Sequence, residues 1–301
     1  MGFINLVIGS ESYINVDNKQ IRLKSLSTNN EITYPIVDIN SIVIDNLKTN
    51  ISVYTLNQLV KNNIIVYVCD DKHQPSTYLL GYNNHYKVLG VYKIQISASK
   101  PLLKNIWKTI VEQKILNQKT VLDILSIKND LNQYCGTVLS GDSSNIEALV
   151  ASKYFKHMFG SKFTRQDETE SVNSMLNYGY AIIRGAISRS IVAHGLQPFL
   201  GIHHKSILNN FNLADDLIEV FRPLVDLYVV SKNLLLEKEL TPKIKCQLLN
   251  LLNVDMLFDN KKLCMSDCID KVVSSYVKCL TDNVQFIKLP KIILISEHKY
   301  E

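Results

Sequence analysis

The apolar residues of this chain change their spacing near residue 76, and no other feature of the sequence constrains the fold as strongly. Before that point, short runs rich in Ile, Val and Tyr recur about 8–12 residues apart, which is typical of small antiparallel β domains. From Val88 onward, apolar residues recur with the period of a helix. The sequence therefore predicts an α+β fold, with a small N-terminal antiparallel β domain (1–76), a linker (77–87) and a larger all-helical C-terminal domain (88–301).

Short strands and one helix are predicted within the first 75 residues. The predicted strands are FINLVIGS, SYINVDN, QIRLKSLS, EITYPIV, SIVIDN and IIVYVCD. The helix is predicted at residues 53–62, where Leu56, Leu59 and Val60 lie at helical spacing. No motif in this region carries chemistry, so a structural or dimerising role is expected.

Composition indicates a globular chain and argues against a membrane or secreted protein. Of the 301 residues, 46% are hydrophobic and 20% are charged, which is ordinary for globular proteins. No apolar run approaches the roughly 18 residues of a membrane-spanning helix, and no signal peptide opens the chain. The six cysteines form no CxxC pair. We therefore expect a cytoplasmic protein with no membrane contact and no disulfide bond.

The positive charge is concentrated in the predicted helical domain. Residues 1–80 hold 6 Lys or Arg and 7 Asp or Glu, whereas residues 81–301 hold 27 and 21. Residues 85–135 alone hold 8 lysines and 3 acidic residues. This distribution is compatible with a polyanionic partner, although the solvated helices of many proteins are equally rich in lysine.

The segment HGLQPFLGIHHKSILNNFNLADDLIEVFRPLVD, residues 194–226, contains the strongest candidate for a chemical site. The adjacent His203 and His204 precede an acidic run at the start of a predicted helix, made by Asp215, Asp216 and Glu219. A histidine before an acidic helix start can offer a nitrogen and carboxylate oxygens to a divalent metal. The pattern predicts part of a metal site, and a second carboxylate must come from elsewhere.

Local signals assign these acidic residues to positions on the predicted helix. Asn212 is a good N-cap, and Asp215 three residues later can complete a pair that resembles a capping box. An apolar stripe follows at helical spacing, made by Leu217, Val220, Phe221 and Leu224. At about 100° per residue, Glu219 is expected to point away from this stripe, with Asp216 on its flank.

Glu147 is the candidate for the missing carboxylate. It follows the turn-and-cap cluster at 141–145 and is predicted to share a helix face with Ala151, Tyr154 and Met158. An ionised carboxylate among apolar neighbours is costly unless a cation or several donors meet it. The alternative is a surface glutamate at the edge of an apolar stripe, whose charged end reaches solvent.

These motifs resemble a known family, the CRISPR-associated integrase of spacer acquisition. The resemblance is carried by N-x-E-A-x-x-A-x-x-Y-F around Glu147 and by GLQPFLGIHH followed by FNLADDLIEVFRPLVD. The motifs NYGY, HHKS and FNLADD are similar to those of the branch of the family found in type II systems. KILNQKTVL also resembles that branch, which usually has Ala in place of Lys119. The match extends from about residue 90 to residue 230, and the first 75 residues carry no diagnostic motif.

The resemblance implies a fold, a reaction and a set of partners. The family joins an N-terminal β domain, which helps to form a homodimer, to a helical domain that carries the site. Its members are endonucleases and integrases in which the 3′-hydroxyl of captured DNA attacks a phosphodiester of the CRISPR repeat, with Mg²⁺ or Mn²⁺ as cofactor. The implied partners are double-stranded DNA, a smaller adaptation protein (Cas2) that bridges two dimers and, in type II systems, the effector nuclease.

Carried onto this sequence, the family's metal ligands and catalytic residues fall on Glu147, His204 and Glu219. His204 is preferred to His203 because the family's ligand lies six residues after the proline of its GLxP motif, here Pro198. Adjacent side chains diverge, so both histidines rarely reach one ion. The residues predicted to support the site are Asp216, His203 and Asn177, whereas Asp215 is assigned to helix capping.

Five side chains are candidate DNA contacts, which would make DNA affinity depend on salt. They are Arg165, Tyr178, Arg184, Lys205 and Arg222. Two structural alternatives stay open. Asn177 and Tyr178 could bond to neighbouring helices in the core, and Arg222 could pair with Asp226 or Glu219.

Two other functions fit parts of the pattern. One is a different metal hydrolase or an iron oxygenase, but the sequence contains no HxD or HExxH motif. The other is a non-catalytic DNA-binding scaffold of the same fold. The presence of Glu147, His204 and Glu219 argues against a scaffold that has lost its activity.

Overall fold

The N-terminal part of the chain forms two four-stranded sheets that share a hydrophobic core. The computed structural model describes residues 2–81, 85–165, 167, 171–234, 237, 239–282 and 284–300. The strands are β1 (Ile4–Ile8), β2 (Ser12–Asp17), β3 (Gln20–Ser25), β4 (Glu31–Pro35), β5 (Ile39–Ile44), β6 (Asn50–Ile51), β7 (Ile65–Cys69) and β8 (Pro75–Leu79). One sheet has the order β1-β5-β7-β8 and the other has the order β4-β3-β2-β6.

The predicted strands are confirmed as β1 to β5 and β7, but the prediction of an antiparallel domain is wrong. Strand β5 pairs parallel with both β1 and β7, and β2 pairs parallel with β6. Every residue of β5 is buried, because both faces of this strand are covered. Strands that are buried on both faces occur mainly in parallel sheets. Strand β8 was not predicted, and it crosses the boundary expected at residue 76.

Long helices follow the sheets, as the spacing of apolar residues predicts. The helices are α1 (Val53–Lys61), between β6 and β7, then α2 (Val88–Ile96), α3 (Lys100–Ile124), α4 (Ile146–Phe159), α5 (Ser171–Ala193), α6 (Asn212–Leu217), α7 (Arg222–Ser231), α8 (Pro242–Leu249) and α9 (Met265–Thr281). Helix α5 is central, since it contacts α6 to α9 as well as β7 and β8. The sequence also predicts that DETE, residues 167–170, opens the helix that corresponds to α5, and all of this segment except Asp167 falls outside the described residues. No helix within the described ranges is both long and apolar enough to cross a bilayer.

The sheet that contains β5 and β7 lies between the second sheet and the helices. Ile42 and Val66 point into the small core shared by the two sheets, whereas Val43 and Tyr67 join the large helical core. The Tyr67 hydroxyl donates a hydrogen bond to the Ile182 carbonyl of α5 at 2.7 Å. The helical part is thus built directly onto one face of this sheet.

The C-terminal part is not all-helical, which corrects the prediction for residues 88–301. Strands β9 (Asp255–Phe258) and β10 (Lys261–Cys264) form an antiparallel hairpin before α9. Its turn residues, Asp259 and Asn260, have φ angles of 48° and 62°. Hairpin turns with positive φ angles usually contain glycine. This turn contains none, so the usual sequence signal for a hairpin is missing. The α+β class itself is confirmed.

Candidate active site

A break between α6 and α7 determines where Glu219 points. The sequence predicts one continuous helix here, but a 3-10 turn, Ile218–Val220, separates the two helices. Pro223 causes the break, because it has no N–H and its ring would collide with the carbonyl of Glu219 in a continuous helix. The predicted apolar stripe is buried as expected, but Glu219 is buried as well, 5% exposed, and it faces α3.

The capping pair predicted at the start of this helix is wrong. Phe211 is the N-cap residue, and the Asn212 amide donates to the Ser206 carbonyl at 2.9 Å. The Asp215 carboxylate instead forms an ion pair with Arg184, with 2.8 Å between Nε of Arg184 and Oδ1 of Asp215. The guanidinium of Arg184 therefore has a carboxylate partner within the protein.

Glu147 is held in the first turn of α4. The Asp142 carboxylate accepts hydrogen bonds from the backbone N–H groups of Ile146 and Glu147, at 2.9 and 3.0 Å. These bonds satisfy donors that a helix start otherwise leaves free. The Glu147 side chain is about a quarter exposed (26%), and its carboxylate faces α3.

Lys114 of α3 joins the two glutamates. Its ammonium group lies between Glu147 and Glu219 and donates to both carboxylates. Burial alone would lower the pKa of Lys114, but Glu219 and Glu147 outweigh burial and raise it. Burial alone would raise the pKa of Glu219, but Arg222 and Lys114 lower it. Lys114 and Glu219 are therefore both charged at neutral pH.

His204 is oriented by Asp216, a fully buried residue of α6. The Asp216 carboxylate accepts hydrogen bonds from the backbone N–H groups of His203 and His204, at 3.0 and 3.1 Å. It also accepts one from Nδ1 of the His204 ring, at 2.6 Å. This hydrogen bond raises the pKa of His204. It also leaves Nε2 as the ring nitrogen available to a ligand, an arrangement that is usual for metal-binding histidines.

Glu147, His204 and Glu219 line one cavity of about 750 Å³. Two predicted DNA contacts, Arg165 and Arg222, line the same cavity. Its other lining residues are Lys114, Gln118, Ala148, Ala151, Ser152, Phe155, Lys156, Phe163, Thr164, Tyr180 and Asp226. The cavity therefore combines the predicted ligand set with several cations.

The donors around this cavity fit a hard divalent cation in type. Two carboxylates and one imidazole suit Mg²⁺ or Mn²⁺ better than a metal that prefers thiolates. Among the described residues, however, no three His, Cys, Asp or Glu side chains are close enough together to hold an ion as they stand. The Lys114 ammonium occupies the space between the carboxylates and shows that this space accepts positive charge.

The two arginines of the cavity are held by neighbouring side chains. Asn177 accepts a hydrogen bond from Arg165 at 2.8 Å, and the Arg165 guanidinium lies over the Tyr180 ring. Arg222 forms an ion pair with Glu219, with 3.2 Å between Nε and Oε1, which agrees with one structural alternative left open by the sequence. Asn177 thus supports the site indirectly, by orienting Arg165.

The remaining predicted site residues lie outside this cavity. His203 stacks on Trp107, with ring centroids 4.3 Å apart, and lines a neighbouring groove with Lys205. Tyr178 is fully buried against Lys245, so its prediction as a DNA contact is wrong. Residues two apart on a helix point in nearly opposite directions, and in α5 it is Tyr180 that faces the cavity.

Sequence reasoning missed Lys114, Gln118 and Asp226 as residues of the site. A signal for Lys114 exists, because Ile106, Ile110 and Val121 form an apolar face of α3 at helical spacing, and Lys114 lies on that face. A lysine on such a face needs a buried anion. Asp226 carries a similar signal, because it is the one charged residue in the apolar run PLVDLYVV.

Asp226 allows a test of the electrostatics of the cavity. Its carboxyl is 1% exposed and accepts hydrogen bonds from the hydroxyls of Tyr154 and Tyr180. Burial raises its pKa from 3.8 to about 6. Because the folded state binds the proton more tightly than the unfolded state, this carboxyl reduces stability progressively as pH rises from about 4 to about 6.

We therefore expect Asp226→Asn to stabilise the protein at alkaline but not at acidic pH. The gain in unfolding free energy should approach about 2 kcal/mol near pH 8 and vanish near pH 4, where the aspartate is already protonated. Urea denaturation of both proteins across this pH range measures the difference. A gain that does not change with pH would contradict the raised pKa.

Comparisons with known proteins agree with the family resemblance of the motifs. The family model described as CRISPR associated protein Cas1 matches residues 6–244. The CRISPR-associated endonuclease Cas1 of Neisseria meningitidis serogroup C (strain 8013) is 37% identical over 309 aligned residues, covering 100% of each chain. A solved casposase bound to integration product aligns with a TM-score of 0.80 and 22% identity, over 95% of this chain and 92% of that chain. A Cas6-RT-Cas1–Cas2 complex aligns with a TM-score of 0.70 and 16% identity, over 94% of this chain and 35% of that chain.

The two solved structures show a shared fold, and the Neisseria relative matches this chain along its whole length. The matched family region contains Glu147, His204 and Glu219, the three predicted ligands that line one cavity. On the strength of the family match and of that relative, this chain belongs to the Cas1 family of CRISPR-associated proteins.

Proposed function

We propose that this protein joins the 3′-hydroxyl ends of captured DNA to the CRISPR repeat by metal-dependent transesterification. The observation that supports the proposal is the cavity in which Glu147 of α4, His204 of the loop before α6 and Glu219 of the 3-10 turn meet. These residues come from three separate segments, and the fold gives them a common opening. Membership of the Cas1 family supplies the reaction class.

The protein's own side chains would bind and orient the DNA. Arg165 and Arg222 place two guanidinium groups on the wall of the cavity, where they can pair with phosphate oxygens. Asn177 and Tyr180 hold Arg165 in position, so less side-chain freedom is lost when a phosphate binds. The fixed cations also stabilise the negative charge that grows on the phosphate during displacement.

Glu147, Glu219 and His204 Nε2 would hold the Mg²⁺ or Mn²⁺ ion. The bound ion would polarise the phosphodiester and lower the pKa of the attacking 3′-hydroxyl. Asp216 contributes by fixing the His204 ring through Nδ1, so that Nε2 is the nitrogen presented to the cavity. The carboxylate of Glu219 is available in its ionised form, because Arg222 and Lys114 lower its pKa.

A second surface beside the cavity would continue the DNA path. His203 and three lysines, Lys100, Lys104 and Lys205, line a groove of about 210 Å³ next to His204. Such a row of cations can follow a phosphate backbone, and it predicts that affinity falls as salt rises. Lys205 and His203 therefore belong to the proposed DNA surface rather than to the metal site.

The proposed partners follow from the family and from the relatives. The casposase relative is described as bound to integration product, and another related structure is a complex that contains Cas1 and Cas2. We infer that this protein acts on double-stranded DNA as a homodimer, together with a Cas2 protein that bridges two dimers. Its motifs resemble those of the type II branch, where the effector nuclease would be a further partner.

A strand-transfer assay tests the proposal. Purified protein is mixed with a labelled duplex that carries 3′-hydroxyl ends and with a plasmid that carries a CRISPR repeat, in Mg²⁺, in Mn²⁺ or in EDTA. We expect joined product with either metal and none with EDTA. DNA that is bound but never joined under all conditions would favour the alternative, a DNA-binding scaffold without activity.

A further inference from the structure

The position of Lys114 raises a question about how a metal ion enters the proposed site. Lys114 is 5% exposed, and its ammonium group contacts both carboxylates that would bind the ion. A monovalent and a divalent cation cannot share this space, because like charges a few ångströms apart repel strongly in a buried site. If the metal binds to Glu147 and Glu219, the ammonium group must move.

Gln118 offers a place for the displaced group. It lies one helical turn after Lys114 on α3, so the two side chains share a face of the helix. Gln118 is 2% exposed and lines the same cavity. Its Oε1 atom is buried and has no hydrogen-bond partner among the described residues. A buried acceptor without a donor is costly, and an arriving ammonium group would remove that cost.

We propose that Lys114 is an internal counter-ion. Its ammonium group occupies the space between Glu147 and Glu219 until the metal binds, and the side chain then moves so that the ammonium group donates a hydrogen bond to Gln118 Oε1. This inference rests on the proposed function, because it assumes that the two glutamates bind the metal. In the metal-free protein, Lys114 keeps two carboxylates close together that would otherwise repel each other. In the metal-bound protein, Gln118 keeps a buried lysine hydrogen-bonded.

The exchange predicts that removing the charge of Lys114 lowers the stability of the metal-free protein but raises its affinity for metal. Because Lys114 neutralises the carboxylates without metal, its removal should destabilise the metal-free protein. Because Lys114 competes with the metal, its removal should also tighten metal binding. An ordinary structural salt bridge would show only the first effect, since a loosened site binds metal more weakly.

The first variant, Lys114→Met, keeps the unbranched shape and most of the length of the side chain and removes its charge. The full-length protein is titrated with Mn²⁺ alone, without DNA, and binding is followed by calorimetry and by the shift in melting temperature. We expect a lower melting temperature without metal and Mn²⁺ binding about tenfold tighter than in the wild type, since a nearby positive charge opposes the ion. Unchanged or weaker Mn²⁺ binding in a folded Lys114→Met protein would overturn the proposal.

The second variant, Gln118→Met, tests the acceptor and remains informative if Lys114→Met does not fold. Without metal it should be at least as stable as the wild type, because an unpartnered acceptor is lost. Its Mn²⁺ binding should be about tenfold weaker, because the displaced ammonium would be left buried without a partner. In the double variant this weakening should disappear, since no ammonium group remains to be received. A weakening that persists in the double variant would overturn the exchange.

Glu147→Gln separates a failure of this inference from a failure of the proposed function. If Glu147→Gln leaves Mn²⁺ binding intact, the metal lies elsewhere and both proposals fall. If Glu147→Gln abolishes Mn²⁺ binding while the Lys114 and Gln118 variants bind like the wild type, the metal site stands and only the exchange is wrong.

Discussion

Replacing Glu147 by Gln is expected to reduce strand transfer by at least about a thousandfold, because the change removes one anionic ligand of the proposed metal. The substitution keeps the shape of the side chain and an oxygen that can accept the Lys114 hydrogen bond. Glu147 is partly exposed, and its backbone N–H is held by Asp142 whatever the side chain is. The fold and DNA binding should therefore survive, and the loss should appear in the rate of joining.

Glu147 is a cleaner test than Glu219, whose removal would leave Lys114 and Arg222 buried around a missing anion. Glu112→Gln provides a matched control, since Glu112 lies on the same helix as Lys114 but, among the described residues, forms its ion pair with Lys108 outside the cavity, at 3.7 Å. Strand transfer by each variant is measured with the labelled duplex, and DNA binding is measured in parallel by gel shift. Joining by Glu147→Gln at close to the wild-type rate would remove Glu147 from the mechanism.

The part of the site that could be predicted from the sequence is the part that short motifs carry. Glu147, His204 and Glu219 each lie within a motif that resembles the family, and all three line one cavity. The structure adds what the motifs do not contain. Asp142 caps the helix of Glu147. Asp216 organises the loop of His204 through four hydrogen bonds, three from the backbone N–H groups of residues 202–204 and one from the His204 ring.

The residues that sequence reasoning missed are defined by contacts between distant segments. Lys114 lies among the eight lysines of residues 85–135, and it differs from Lys104 and Lys108 in two ways, by its position on a buried helix face and by opening the motif KILNQKTVL. Whether such a lysine meets a buried anion depends on where α4 and the 3-10 turn pack. The prediction that Tyr178 binds DNA failed for a related reason, because the motif NYGY does not say which tyrosine faces the cavity.

The fold was predicted to a similar extent. The runs rich in Ile and Val gave the strands, because alternation and spacing are local properties. The pairing of β5 with β1 and β7 is not local, since β1 and β5 are separated by the three strands of the second sheet. The broken helix before α7 could have been predicted, because Pro223 is visible in the sequence and forbids the continuous helix that the apolar stripe suggests.

Replacing Gly185 by Ala is expected to be the most damaging of the helix glycine substitutions, because α5 and the central sheet touch at this residue. A Cβ atom there would lie 2.3 Å from Cε1 and 3.0 Å from Cζ of the Tyr67 ring. The Tyr67 ring has no room to move away, since it is fully buried on a central strand and its hydroxyl donates a hydrogen bond to the Ile182 carbonyl. We expect a loss of about 3 kcal/mol in unfolding free energy, at the upper end of the range for overpacking.

Two other glycines provide the comparison by urea denaturation. Gly90 lies in α2, where an added Cβ atom would meet no neighbouring group within 4 Å, so Gly90→Ala should stabilise the protein by up to about 1 kcal/mol through helix propensity. At Gly179, a Cβ would meet Val225 Cγ1 at 2.5 Å, the end of a side chain that can rotate, so an intermediate loss is expected. Equal stability of the Gly185→Ala and Gly90→Ala proteins would show that α5 and the sheet lie further apart than the structure places them. That spacing matters for the site, because α5 carries Asn177 and Tyr180, which hold Arg165 on the wall of the cavity.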